Sequence, residues 1–277
     1  MKRILLVLAG ALLAASSAQA QFPGDVPENF RLHVGGIFAL FNTDTQLSTK
    51  NPDNPGTDID FEDVLGVPDN KFAFRADGYW NFLGRSYLDF GYSSFNRSEQ
   101  HTITQDIVFN GVTYTAGASV DAEMDERFIY AAYRYGFVKN PSFQFGASLG
   151  VSYAKLDASL TAATGVVGPN GQPIVGSVTK EASIEAPIPL IGLELAGALS
   201  RQVTLGGYVR GFGANIGDYS GNMIDAGARL DWYVARNLGV GLAYEYNHIH
   251  ITKETDTRKT EFKTQYHGPR FYLTVTF

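Results

Sequence analysis

Apolar and polar residues alternate with a period of two along most of the chain, and the 3.6-residue period of an amphipathic helix is hard to find. The last segment shows this most plainly: Phe271, Leu273, Val275 and Phe277 share one face, and Arg270, Tyr272, Thr274 and Thr276 share the other. Ten such segments can be marked, starting near Phe30, Phe72, Ser86, Glu126, Phe143, Leu190, Val203, Ile224, Val240 and Phe262. Each is long enough to cross a bilayer as a tilted strand, which takes about 9–11 residues.

The connections alternate between short and long. The short ones, Leu83-Gly84-Arg85, Lys139-Asn140-Pro141, Ser200-Arg201-Gln202 and Arg236-Asn237, all carry turn chemistry. The long ones are residues 43–70, 98–125, 157–187, the shorter 215–222, and 252–261. Tight turns at one end and large loops at the other are the pattern of transmembrane β-barrels. Two of the long, extracellular loops read as strands extended above the membrane, because Asn110-Gly111 is a type I′ hairpin signal between residues 102–109 and 112–115, and Pro169-Asn170-Gly171-Gln172 is a candidate for the same role.

A secreted β-sandwich would also alternate, so the chemistry of the two faces has to separate the readings. One face of the membrane-length cores is uncharged throughout: Val34, Phe38, Leu40; Phe74, Trp80, Phe82; Leu88, Phe90, Tyr92; and so on to Phe271–Phe277. The opposite face is rich in Gly, Ser, Tyr and Arg and holds no Lys, unlike the solvent face of a sandwich. The predicted fold class is therefore all-β, a transmembrane antiparallel up-and-down β-barrel with ten strands, eight or twelve being the neighbouring counts.

Composition fits this reading. Charged residues are 18% of the 277 and aromatics 13%, against a usual charged fraction of roughly 25% in soluble domains. Cysteine is absent, so no disulfide, thiol nucleophile or cysteine-ligated metal site exists. The net charge of −6 excludes the basic field that nucleic-acid binding needs. At the N-terminus, Lys2 and Arg3, an apolar run from Ile4 to Ala15, and Ala18-Gln19-Ala20 form a signal-peptide pattern, predicting cleavage after residue 20 and a barrel domain over 21–277. The apolar run is too short for a spanning helix, which takes about 20 residues.

On these features the chain resembles the small bacterial outer-membrane β-barrels, a group that includes the omptins and the OmpA-like proteins. The resemblance covers residues 28–277 and implies location in the cell outer membrane, lipid and lipopolysaccharide as surroundings, and a monomer. It also implies that Phe271, Leu273, Val275 and the terminal Phe277 form the signal read by the barrel assembly machinery. The segment from Asp58 to Gly66 is similar to one in uncharacterised proteobacterial barrel proteins. Because one barrel hosts enzymes, adhesins, channels and anchors, the resemblance names no activity.

The lumen face carries the chemistry. It reads Arg31, Arg75, Arg97, Arg134, Arg210, Arg229 and Arg270 against Asp77, Asp89, Glu126, Glu194, Asp225, Asp231 and Glu245. A balanced set is expected where charges cross-link a narrow interior, because an unpaired charge there costs several kcal/mol. A selective pore would favour one sign.

Catalytic signals are weak. His33, His101, His248, His250 and His267 form no Ser-centred or H-E-x-x-H motif. Omptin-like proteolysis would need paired aspartates and a His–Asp dyad at the extracellular rim, yet His248 and His250 continue the outward face of Tyr244 and Tyr246. Lipid A hydrolysis would need a lipid-facing His and Ser, such as His248 with Ser94. The acidic loop of Asp58, Asp60, Glu62, Asp63 and Asp69 lacks the Gly and terminal Glu of a calcium loop, and Phe61, Val64 and Leu65 give it an apolar side able to fold over the barrel mouth. Lys155, Lys180, Lys253, Arg258, Lys259 and Lys263 gather near the outer rim, where lipopolysaccharide phosphates would face them. The sequence thus predicts a structural or surface-interaction barrel with a salt-bridged, closed lumen and no catalytic residues, cofactor or metal. A narrow solute channel is the alternative, and a protease or lipid A hydrolase the second alternative.

Overall fold

Fourteen strands follow one another along the chain in the computed structural model, which describes residues 29–49, 57–256 and 258–277. They are β1 (Phe30–Thr49), β2 (Asp58–Asp60), β3 (Asn70–Leu83), β4 (Ser86–Thr102), β5 (Ile107–Phe109), β6 (Val112–Tyr114), β7 (Ser119–Asn140), β8 (Phe143–Ala162), β9 (Val166–Val167), β10 (Val178–Ala198), β11 (Val203–Ile216), β12 (Tyr219–Tyr233), β13 (Leu238–Glu254) and β14 (Arg258–Thr276). Ten of them, β1, β3, β4, β7, β8, β10, β11, β12, β13 and β14, pair antiparallel in sequence order, and β14 pairs with β1 to close the ring. The closing register runs from Arg31↔Thr276 to Thr49↔Arg258. The signal-peptide segment, residues 1–20, lies outside the described residues.

The outward and inward faces are those the alternation predicts. Phe38, Phe74, Trp80, Leu149, Ile191, Leu193, Trp232, Leu242 and Phe271 are exposed on the outer wall, while the positions between them are buried. On β8 the apolar belt runs from Phe143 to Tyr153, the height of the roughly 25 Å band of a membrane barrel. The turns at Gly84, Pro141–Ser142, Leu199–Gln202 and Val234–Asn237 mark one end, where the start of β1 meets the end of β14: Phe30 N–H donates to the Phe277 carbonyl at 3.1 Å and Phe277 N–H to that of Phe30 at 3.0 Å.

At the other end strands continue above the membrane, as the hairpin signals in two of the long loops predict, and they run further than the ten marked segments. Most of the expected loops at 98–125 and 157–187 are strand, and β7, β8 and β10 reach 22, 20 and 21 residues. The reason is a phase change in hydrophobicity. Within the belt of β10, Ile191, Leu193 and Leu195 face out; beyond it, Ala182, Ile184, Ala186, Ile188 and Leu190 face in, and Glu181, Ser183 and Glu185 face out. Backbone alternation continues unbroken while the apolar set moves by one residue from the outer to the inner face. A search for apolar-outward strands therefore ends where lipid ends.

Beyond the belt the ring also opens at two places. Pairing of β10 with β11 stops at Ile191↔Gly211, leaving residues 178–190 as an edge that carries Pro187 and Pro189, which have no N–H to donate. On the opposite side β3 begins only at Asn70, so the outer parts of β1 and β4 have no strand of β3 between them. The segment from Thr57 to Asp69 fills that gap. β2 pairs with Asp44–Gln46, Phe61 N–H donates to the Thr43 carbonyl at 3.0 Å, and Phe41 N–H to that of Asp69 at 2.6 Å. Ile59, Phe61 and Leu65 enter the interior fully buried, so the apolar side of the acidic loop does fold over the mouth. Asn110-Gly111 turns the β5–β6 hairpin with φ of 46° and 79°, and Ile107, Phe109, Val112 and Tyr114 pack into the same apolar core, with β9 alongside β6.

Two stability measurements test this geometry. Leu242→Arg or Leu273→Arg, on the lipid face, should destabilise the refolded barrel to urea by about 2–4 kcal/mol, with lumen-facing Ser148→Thr milder; equal costs would mean the faces are exchanged. Beyond the belt the rule should invert. Ser159→Lys, outward between Glu123 and Glu181, should change stability by no more than about 0.5 kcal/mol, whereas Leu160→Lys beside it should cost more than about 3 kcal/mol.

Candidate functional site

All fourteen charged residues that the alternation assigns to the lumen are buried there, between 0% and 8% exposed. Twelve of them join one continuous network, with His33 as a member that pattern reading missed. It begins at the turn end with Arg31, 3.5 Å from Asp231, which lies 3.7 Å from His33 Nε2; His33 Nδ1 is 3.0 Å from Asp77. Asp77 pairs with Arg270, Arg270 lies 2.9 Å from Glu245, and Glu245 3.0 Å from Arg75. Arg75 leads at 3.9 Å to Asp225, and Asp225 at 3.8 Å to Arg210.

Glu194 is the hub at the far side of the ring. Arg229 donates to it at 2.8 Å and Arg210 at 3.2 Å, while Arg134 lies 3.6 Å away and donates to Asp89 at 2.9 Å. Tyrosines fill the space between the charges. Arg75 donates to the hydroxyls of Tyr266 at 3.0 Å and Tyr208 at 3.1 Å, Arg134 lies over Tyr87 at 4.2 Å, and Arg210 over Tyr208 at 4.4 Å. Charges in that interior persist because they are paired, and small inward residues such as Ala132, Ala196 and Ala243 leave room for their long side chains.

The remaining two charges form a separate clasp near the mouth. Arg97 donates to Thr43 Oγ1 at 2.7 Å, lies 3.7 Å from Glu126, stacks over Phe41 at 4.0 Å, and pairs with Glu62. Glu62 also accepts from Thr43 N–H at 2.7 Å. The acidic loop thereby supplies a charge to the interior, an assignment its surface-like composition conceals. The other acids of the loop have different tasks: Asp60 caps the turn by accepting from Asp63 N–H at 2.7 Å, and burial with the nearby Asp44 and Glu261 raises the Asp58 carboxyl above its usual range.

Little space is left between these groups. The cavity at the junction of the ion network and the apolar core, bounded by Arg75, Phe128, Tyr130, Met223 and Asn247, has a volume of about 20 Å³, room for about one water. Burial also lifts the Tyr114 phenol well above its usual range, and its hydroxyl donates to the Leu160 carbonyl at 2.8 Å beneath the hairpin.

The histidines near the mouth do not face it. His248 and His250 lie on the outer wall of β13, and Ser94 lies on β4 with β14, β1 and β3 in between, so the structure does not bring His248 and Ser94 together. Phe271 and Leu273 are exposed on the lipid face of the closing strand, with Val275 half-buried, and the Phe277 ring packs 5.7 Å from Phe30. Of the rim cations, Lys155 pairs with Glu185 at 2.5 Å, Lys259 with Glu261 at 2.5 Å and Lys263 with Asp44 at 3.3 Å.

No family profile matches the chain, and no curated protein matches its sequence. Among solved structures it is similar to the outer membrane protease OmpT of Escherichia coli, with a TM-score of 0.59 and 13% identity over 91% of this chain and 98% of that one. The translocator domain of the autotransporter NalP from Neisseria meningitidis scores 0.48 at 13% identity, covering 100% and 97%, and the outer membrane protein OprG of Pseudomonas aeruginosa 0.39 at 11%, covering 93% and 99%. The first likeness shows the fold. With the closed ring and the apolar outer belt, it defines a ten-stranded β-barrel of the bacterial outer-membrane type, set in that membrane.

The hub gives the sharpest test of the network. Glu194→Ala leaves three arginines without their shared carboxylate and should cost about 3–5 kcal/mol in urea unfolding, with Arg134→Ala in the same range. Lys155→Ala, which removes an exposed pair, should cost roughly 0–1 kcal/mol. Equal costs would mean that the lumen charges are hydrated rather than buried.

Proposed function

We propose that this protein is a non-conducting outer-membrane barrel whose lumen serves stability and whose working surfaces are the outer wall and the extracellular end. The observation that carries this is the continuous ion network from Arg31 to Asp89, spanning the lumen beneath an apolar mouth filled by residues 57–69 and 103–118. A solute would have to break several buried ion pairs and displace Phe61, Leu65 and Phe109 to pass. The strands extend beyond the belt as two facing sheets around a hydrophobic core, which suits a rigid surface platform.

The same interior argues against the protease chemistry of OmpT. Inward positions near the rim are Phe41, Phe95, Leu156, Ile251 and Phe262, where paired aspartates and a His–Asp dyad would have to stand. The His33–Asp77 pair lies deep in the lumen, enclosed by Arg270 and Tyr272. We assign no catalytic residues.

Planar-bilayer recording of the refolded protein separates the readings. The closed lumen should give no sustained current. A stable current whose cation–anion preference changes in Arg134→Ala or Glu194→Ala would overturn this function in favour of a narrow channel.

A further inference from the structure

Above the belt, β10 stands as an open sheet edge. Its register with β8 is unbroken from Val178↔Ala162 to Gly197↔Phe143, but on its other side pairing with β11 stops at Ile191↔Gly211. Continued upward, that register would set Ile216, the last residue of β11, beside Ala186, so no strand stands across from residues 178–185. In an antiparallel ladder the N–H and C=O of one residue point to the same neighbour, and successive residues alternate between neighbours. On β10 the odd-numbered residues point to the open side: Pro187 and Pro189, which cannot donate, fit only there, and the Glu181 carbonyl accepts from the Asn110 side-chain amide at 2.8 Å. Among the described residues, the N–H groups of Thr179, Glu181, Ser183 and Glu185 and the carbonyls of Thr179, Ser183 and Glu185 therefore meet no strand.

The outward side chains beside this edge are acidic. Register sets Glu123 opposite Ser159 and Ser159 opposite Glu181; one row nearer the membrane, Asp125 faces Asp157 and Asp157 faces Ser183. A cleft of about 220 Å³ opens between Glu123, Asp125, Asp157, Ser159, Glu181 and Ser183. Among the described residues no cation pairs with Glu123, Asp125 or Glu181, and Lys155, lower on β8, is already held by Glu185 at 2.5 Å. The inward side chains of the same edge are small or apolar: Ala182, Ile184 and Ala186 are buried in the core beyond the belt.

We propose that residues 179–185 of β10 are a docking edge for an extended, basic extracellular polypeptide, which adds to the sheet as an antiparallel strand. Backbone bonds to the free edge give affinity, and alternate side chains give specificity. The outward residues of the docked strand are lysine or arginine: they stand opposite Glu181 and Glu185 and reach diagonally over Ser183 into the cleft of Asp125 and Asp157. Its intervening residues are small and apolar, and extend the row of Ala182, Ile184 and Ala186. Pro187 and Pro189 close the edge next to the membrane, which confines the docked strand to the stretch above them. A second copy of this chain is disfavoured. Two copies in one membrane are related by an axis along its normal, which leaves both β10 strands running the same way and sets acidic wall beside acidic wall. The inference rests on the extracellular end being a working surface and not on the closed lumen, so a conducting barrel and a non-binding edge are separate results.

Fluorescence anisotropy of a labelled peptide against the full refolded protein in non-ionic detergent, with empty micelles as the blank, tests it. The probe is an acetylated and amidated peptide of alternating arginine and valine, long enough to span residues 179–185, and it should bind saturably. N-methylation of its arginines keeps the charge and removes the ladder donors, and should weaken binding about tenfold or more. Ser183→Pro places at the centre of the edge the residue that positions 187 and 189 already accept, and should weaken binding by a similar factor. Glu181→Gln/Glu123→Gln, which leaves the backbone edge intact, should weaken it about three- to tenfold. Boiled and unboiled gel mobility checks that each variant is a closed barrel, and the N-methylated peptide needs no variant at all. Absence of saturable binding, equal binding of the N-methylated peptide, or a protein dimer that Ser183→Pro abolishes would overturn the proposal.

Discussion

Closure of the ring by β1 against β14 is the constraint from which the interior follows. Hydrocarbon offers no partner to an unpaired N–H or C=O, so within the belt every strand must be paired on both sides. A closed ring of ten alternating strands then commits half of its belt residues to a lumen little wider than the eight-stranded kind, which side chains just fill. The lumen is too narrow to solvate charges, so those it holds have to be paired. The six arginines and six carboxylates linked through His33 are the resulting solution, with tyrosine rings between them. Glycine is part of that packing: a Cβ at Gly91 or Gly241 would come within 2.2 Å of the Tyr130 or Tyr272 ring, and those rings lie against Arg210 and Arg270.

Outside the belt the constraint lapses, and the structure changes at that level. Water can satisfy an open edge, so β10 separates from β11 at Ile191 and the wall between β1 and β4 admits residues 57–69 in place of a strand. The prolines at 187 and 189 occupy the open edge, where the missing N–H breaks no ladder and discourages pairing with another chain. With lipid gone the outer face becomes polar and the core moves inside, as in any water-soluble β structure. Ile184 and Ile188 on β10 thus lie in one core with Ile249 and Ile251 on β13.

This division explains which features were legible in the sequence. Strand faces within the belt were, because lipid imposes one rule on every outward position from Val34 to Phe271, and the fourteen lumen charges followed by subtraction. On the extracellular side the hairpin at Asn110-Gly111 was legible too, but the ends of the long strands were not. A pattern search tuned to apolar-outward residues cannot follow β7 below Ile129 or β8 past Tyr153, where the same backbone carries the opposite hydrophobic phase. His33 escaped notice because a lone histidine on an alternating strand has no spacing to mark it; its two aspartates come from β3 and β12, 44 and 198 residues away in sequence. Glu62 escaped for the opposite reason, sitting among four other acids that resemble solvated loop charges. Only its place between Phe61 and Leu65 hinted that the segment turns inward.

The filled lumen also limits where specificity can reside. A residue such as Arg75, bound at once to Glu245, Tyr208 and Tyr266 and close to Asp225, cannot be exchanged for another function without loss of the fold. The outer wall beyond the belt has no such obligation, and its two sides differ in charge. Across β7, β8 and β10 the outward positions include Asp121, Glu123, Asp125, Asp157 and Glu181, with Asp125 directly opposite Asp157, a like-charge pairing that costs stability. Asn96 donates to Asp125 at 2.6 Å and to Glu123 at 3.0 Å, which offsets part of that cost. Across β13 and β14 the corresponding positions carry His248, His250, Lys259 and Lys263, with Glu261 between the two lysines. The two sides of the outer wall beyond the belt therefore differ in charge, unpaired carboxylates gathering on one and paired cations on the other. The difference is felt within a Debye length, about 8 Å at physiological salt, and it owes nothing to the lumen.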